Sequence, residues 1–91
     1  MHKVISFYRY VTLDTPKAIR KDISERCKEL KILGRILVGE EGINGAVCGE
    51  EKDIVVFQSF LESYFQDLTY REQSVKNQAY HKLVVRVRKE I

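Results

Sequence analysis

The sequence lacks most of what would mark a special environment. No apolar run in its 91 residues reaches the ~18 that a membrane helix needs, so no membrane partner is expected. Proline occurs once and glycine five times, against 44% hydrophobic and 32% charged residues, which excludes collagenous, low-complexity and disordered chains. Two cysteines cannot build a disulfide framework. The opening Met1-His2-Lys3-Val4-Ile5-Ser6 lacks the apolar core and small-residue cleavage site of a secretory signal. Reduced thiols and a cytoplasmic location are therefore expected. No Cys/His spacing resembles a zinc site, and there is no Walker or Rossmann glycine pattern, so no metal or cofactor is expected on this chain. These absences leave one compact domain with little room for an enclosed active site, since a chain this short buries only about 60–65% of its unfolded surface.

What is present is a charge asymmetry. Residues 1–70 hold ten basic and eleven acidic residues, whereas 71–91 hold Arg71, Lys76, Lys82, Arg86, Arg88 and Lys89 against Glu72 and Glu90. The net charge of +3 thus gathers in the last quarter of the chain. A basic stripe on a near-neutral body points to a polyanion partner. The plainer reading is a solvated strand face kept soluble by its charge.

Hydrophobic periodicity gives the elements. Residues 3–11 are β-branched and aromatic and read as a strand with Ile5, Phe7 and Val11 on one face. Thr15 and Pro16 read as the N-cap and first position of a helix, and Ile19, Ile23, Cys27 and Leu30 form its apolar stripe until Gly34 stops it. Residues 35–38 are a second strand and 46–48 a third, with Asn44-Gly45 as the hairpin turn between them. Ile54, Phe57, Phe60 and Leu61 mark a second helix from Glu51. Residues 69–73 form a short strand, 74–79 a polar loop and 81–89 the last strand, with Leu83, Val85 and Val87 inward and Val84, Arg86 and Arg88 outward. The order β-α-β-β-α-β(β) predicts an α+β, ferredoxin-like sandwich in its acylphosphatase-like variant, an antiparallel sheet with two helices on one face and the other face open.

Several constellations carry candidate chemistry. On the last strand Lys82, Arg86 and Arg88 fall on one side, each ~6.6–7 Å from the next alternate position, a separation close to that of successive phosphates. Lys89 and His81 flank them, and Tyr8, Tyr10, Tyr70 and Tyr80 on or beside neighbouring strands offer stacking surfaces. His81 also reads simply as a partly exposed strand residue. Gly42-Ile43-Asn44-Gly45 fits the G-x-x-G of KH domains, but there the loop joins two helices and here it joins two strands. Glu40 and Glu41 before it either bind a metal or an arginine or are solvated. Cys27 reads as core. Cys48, ahead of a helix start, is a thiol to inspect, but Asp53 stands where a rhodanese-type loop carries an arginine. An acylphosphatase needs a glycine-containing phosphate loop with an arginine after its first strand, and residues 11–16 contain neither.

Two stretches together carry a family resemblance. The run Gly34-Arg35-Ile36-Leu37-Val38-Gly39-Glu40-Glu41-Gly42-Ile43-Asn44-Gly45, with Val47 and Gly49, is one, and residues 81–91 are the other. Both resemble the N-terminal domain of the rhodanese-containing tRNA uridine hydroxylases, bacterial proteins that convert the wobble uridine at tRNA position 34 to 5-hydroxyuridine with molecular oxygen. The opening with Tyr8, Tyr10 and Val11 fits too, so the resemblance spans the whole chain. Cys48 and Gly39 depart from the family pattern. The resemblance implies an acylphosphatase-like domain over residues 1–91, whose motif hairpin comprises Arg35, Glu40, Glu41, Gly42, Asn44 and Gly45. It implies a fragment cut before a rhodanese domain that carries the catalytic cysteine, which neither Cys27 nor Cys48 matches. Oxygen is then a co-substrate of the whole protein, and tRNA and the rhodanese domain are the partners. The chain alone is expected to be inactive, with His81, Lys82, Arg86, Arg88 and Lys89 positioning tRNA. The alternatives are a scaffold whose hairpin, Arg86 and Arg88 dock on the rhodanese domain, or a free-standing acylphosphatase-type hydrolase.

Overall fold

A computed structural model describes residues 1–91. Strand β1 (His2–Tyr10) alternates as its sequence predicts, with Ile5 and Phe7 buried and Tyr8 and Tyr10 exposed. Val11 lies past the strand and is 38% exposed, so it is not on the apolar face. Its N–H bonds to the Glu41 carbonyl (2.8 Å), and that of Leu13 to the Glu40 carbonyl (2.9 Å). Helix α1 (Pro16–Glu29) begins as expected, with Thr15 at the N-cap position, although the Thr15 side chain caps nothing. It buries Ile23 and Cys27.

Gly34 does not stop this helix. Lys31 does, in the left-handed region at φ 56°. The Ile32 N–H reaches the Cys27 carbonyl (2.9 Å) and the Lys31 N–H that of Lys28 (3.3 Å), a Schellman closure that drives Ile32 into the core. Gly34 belongs instead to strand β2 (Leu33–Gly39).

Strand β3 (Gly42–Glu50) follows after two residues, so the hairpin turn is Glu40-Glu41 and not Asn44-Gly45. Register explains the choice. With the turn at 40–41, Val38 faces Ile43 and Ile36 faces Gly45, and Ile36, Val38, Ile43 and Val47 all reach the core. A turn at 44–45 would have placed Glu40 on the same face as Ile36 and Val38 and sent Ile43 to the other side. The glycines have other duties. Gly42 closes the hairpin at φ 138°, where an added Cβ would collide with the Arg9 carbonyl. Gly45 lies opposite Phe7 on β1, and its missing side chain makes room for the ring.

Helix α2 (Glu51–Glu62) carries Glu51 and Asp53 in its first turn, the end where carboxylates are favoured. Strands β4 (Thr69–Val75) and β5 (Leu83–Val87) complete a five-stranded sheet of order β4-β1-β3-β2-β5. Four strands pair antiparallel, and β5 joins the edge parallel to β2, so the sheet is mixed. Both helices pack on one face. Ile5, Phe7, Ile36, Val38, Ile43, Val47 and Val85 meet Ile23 and Cys27 of α1 and Ile54, Phe57 and Leu61 of α2. Full burial of each large apolar side chain contributes on the order of 1.5–3 kcal/mol. No helix is long and apolar enough to cross a membrane.

Candidate nucleic-acid interface

The face opposite the helices is built by strand alternation and register. One rung across all five strands reads Thr69, Tyr8, Asn44, Leu37, Arg86. The next reads Arg71, Ser6, Ala46, Arg35, Val84. Small residues thus occupy the centre, and larger ones stand around them. Two hollows of about 280 Å³ each share Ser6, Asn44 and Gly45; Tyr8, Thr69 and Arg71 wall one, Arg35 and Leu37 the other. The result is one shallow trough between Arg71 and Arg35, which sit three strands apart, or ~14 Å.

The trough is strongly one-signed. Arg35, Arg71 and Arg86 are all exposed, and none enters an ion pair; the two pairs present are Lys3–Glu72 and Lys52–Glu50. The one strand carboxylate whose register falls on this face is Glu50, at its far end. An arginine fork with no carboxylate to occupy it is free to hold phosphate oxygens in pairs. Beside it, Tyr8 and Tyr10 are 58% and 64% exposed, with ring centroids 6.2 Å apart and planes at 67°.

The other residues singled out in the sequence divide into two groups. His81 and Lys82 line a hollow of about 350 Å³ with Tyr80, Gly34, Ala79, Val84 and Arg35, because the parallel pairing of β5 with β2 sets Arg35 opposite Val84. Arg88 and Lys89 lie at the opposite end, past β5, beside Glu40, Pro16, Lys17 and Val87. Arg86 takes its place on the open face by register and also borders Arg20, Ser24 and Lys28 of α1 along the outer edge. Glu40 and Glu41 are exposed, and no group of three or more His, Cys, Asp or Glu converges anywhere in the structure. Tyr70 is not a stacking surface. It lies on the helix face, edge-on to Phe7 at 6.1 Å, and burial pushes its hydroxyl up to about 12. Arg71 counts in the basic excess of residues 71–91 but is not among the residues singled out for a site, although the inward Tyr70 beside it signals by alternation that Arg71 points out.

Both thiols are closed off. Cys27 is fully buried in the core, and that burial pushes its pKa from 9.0 up to about 12. Cys48 is not at a helix N-terminus: β3 runs on to Glu50, and Cys48 is fully buried on the open face. The segment 76–82, which carries the chain from one edge of the sheet to the other, closes over it, and Gln78 Nε2 donates to the Cys48 carbonyl at 2.9 Å.

A sequence profile described as the UPF0176 acylphosphatase-like domain matches residues 2–91. The chain belongs to this family. Among similar curated proteins, a tRNA uridine(34) hydroxylase of Staphylococcus epidermidis is 38% identical over 99% of this chain, and one of Listeria welshimeri 34% identical over the same share. The chain spans 29% of the length of each. Of solved structures, acylphosphatase from Bacillus subtilis superposes with a TM-score of 0.69 at 14% identity, covering 93% of this chain and 98% of that one. Klebsiella pneumoniae BlrP1 does so with 0.75 at 18% identity, covering 98% of this chain and 24% of its own. These two likenesses establish the α+β ferredoxin-like fold. As a member of the UPF0176 acylphosphatase-like family, the chain corresponds to one domain of the longer tRNA uridine(34) hydroxylases.

Proposed function

We propose that this domain positions tRNA for a cytoplasmic uridine(34) hydroxylase, gripping RNA phosphates with its open sheet face. The observation that carries the reading is the trough between Arg35 and Arg71, with Arg86 on the same face beyond Leu37, three exposed guanidiniums with no ion-pair partner, beside exposed Tyr8 and Tyr10. Family membership, and relatives named for acting on tRNA, support RNA as the polyanion. The chemistry, with oxygen as co-substrate, falls to a rhodanese domain outside these residues, since both cysteines here are buried. Phosphate contacts of this kind fix orientation, and base selection lies elsewhere.

Arg88 and Lys89 favour a second role at the other end of the sheet. They stand with Lys17 beside Glu40, away from the trough. There the hairpin turn and its cations suit docking on the neighbouring catalytic domain.

Salt titration of tRNA binding tests the proposal. Removing one arginine that grips a phosphate should lower the slope of log affinity against log salt by roughly 0.7–0.9. Arg35→Ala combined with Arg71→Ala should therefore flatten the slope and weaken binding while thermal melting stays unchanged. Unchanged affinity and slope would leave the domain as a scaffold. In the longer protein, deletion of residues 1–91 should then abolish hydroxylation by disrupting the catalytic domain itself.

A further inference from the structure

The trough combines features that a phosphate clamp alone does not need. Tyr8 and Tyr10 stand on one strand, two residues apart, on a face that contributes nothing to the helix-packed core. Leaving 58% and 64% of two tyrosines in water has no packing purpose. Their rings meet edge-to-face at 6.2 Å, which leaves two π surfaces of different inclination at the hairpin end of the trough. Short polar side chains lie next to them, Asn44 and Thr69 on the rung of Tyr8 and Ser6 on the neighbouring rung. At the other end, Tyr80 sits with His81, Lys82 and Arg35 around the second hollow.

We infer that the open face takes an unpaired RNA strand, its bases on Tyr8 and Tyr10 and its phosphates on Arg35 and Arg71, in preference to paired RNA. This rests on the RNA-facing reading above and narrows it. A duplex presents a convex backbone and keeps its bases stacked inside, where a shallow sheet trough cannot reach them. An unpaired strand can turn its bases down onto exposed rings, and every base has a π face to offer. A sheet face stacks two or three bases in this way, and Tyr8 and Tyr10 stand one and two rungs along β1 from the line joining Arg71 and Arg35, which are ~14 Å apart.

The test is fluorescence anisotropy of the chain with a labelled oligouridine of about eight nucleotides and with an RNA duplex of about 16 base pairs. The oligouridine should bind at least tenfold more tightly at equal salt. Tyr8→Ala and Tyr10→Ala should each lower its affinity by about tenfold, the scale of one base stack, while Tyr8→Phe keeps it and duplex binding does not change. Both tyrosines are exposed, so the variants should melt as the parent does. If the duplex binds as tightly as the oligouridine, or Tyr8→Ala is without effect while the Arg35→Ala, Arg71→Ala protein is weakened, the unpaired-strand inference fails and the phosphate clamp stands. If neither RNA binds, both fail.

Discussion

Replacing Gly45 by alanine should destabilise the protein through Phe7. An added Cβ would stand 2.9 Å from Phe7 Cζ, 3.0 Å from the Arg35 carbonyl oxygen and 3.0 Å from Ile36 Cγ1. Neither side chain can move aside easily. Phe7 is 3% exposed and held between Phe57 at 6.5 Å and Tyr70 at 6.1 Å, and Ile36 is completely buried. Overpacking of this kind costs about 1–3 kcal/mol. Removing a glycine from the unfolded ensemble returns about 0.4–1 kcal/mol. The net loss is about 1–2 kcal/mol, or about 5–15 °C in melting temperature for a domain of this size. Circular-dichroism melting in a double-mutant cycle with Phe7→Leu identifies the cause. In the Phe7→Leu background the cost of Gly45→Ala should fall by at least half, because the ring that collides is gone. A neutral Gly45→Ala, or the same cost in both backgrounds, would refute the packing argument.

Lys31→Gly should raise stability by about 0.5–1 kcal/mol, because the left-handed closure of α1 at φ 56° strains a residue with a Cβ; a melting temperature at or below the parent's would contradict it. Cys27 holds its proton more tightly folded than unfolded, so this group contributes no pH slope below about 9 and lowers stability as pH rises from 9 to about 12; Tyr70 adds to the same alkaline decline, and Cys27→Ala should flatten the first part of it in urea titrations. The isolated chain should show neither hydroxylase nor thiosulfate sulfurtransferase activity; turnover that disappears in Cys48→Ala would overturn that expectation. Gly42→Ala should cost more than Gly45→Ala, since backbone at Arg9 blocks the Cβ and φ 138° strains it as well; equal melting temperatures for the two would count against that ranking.

The elements whose character depends on their own residues were legible. β1, both helices and the inward set of β5 follow from alternation and from stripes at helical spacing, and the fold class follows from their order. What was not legible depended on partners far away in sequence. The Asn44-Gly45 pair is a strong local turn signal, yet the turn falls at 40–41 because Ile43 must reach the helices, a requirement set by α1 and α2 and not by the dipeptide. Lys31 ends α1 because Ile32 gains a core position, a tertiary reward that outweighs its unfavourable φ. The site suffered in the same way. The basic row on β5 was visible, but Arg35 and Arg71, which wall the trough, sit on β2 and β4, and only the strand order β4-β1-β3-β2-β5 puts them on one surface. Arg88, which alternation alone groups with Arg86, separates from it together with Lys89 because β5 ends at Val87.

The strand order also bears on solubility. β4 and β5 are the two outer strands, and each leaves one row of backbone N–H and C=O groups without a strand partner. Unprotected edges of this sort template pairing with another copy of the chain and lead to aggregates. Here Arg71 projects from one edge strand and Arg86 from the other, both exposed, so each edge of a second molecule would meet a like charge as it approached. The residues proposed to grip RNA would thus also serve as gatekeepers against self-association. Stripping them to hydrophobic residues would trade a loss of anion affinity for a loss of colloidal stability, most acutely at high salt, where the remaining repulsion is screened.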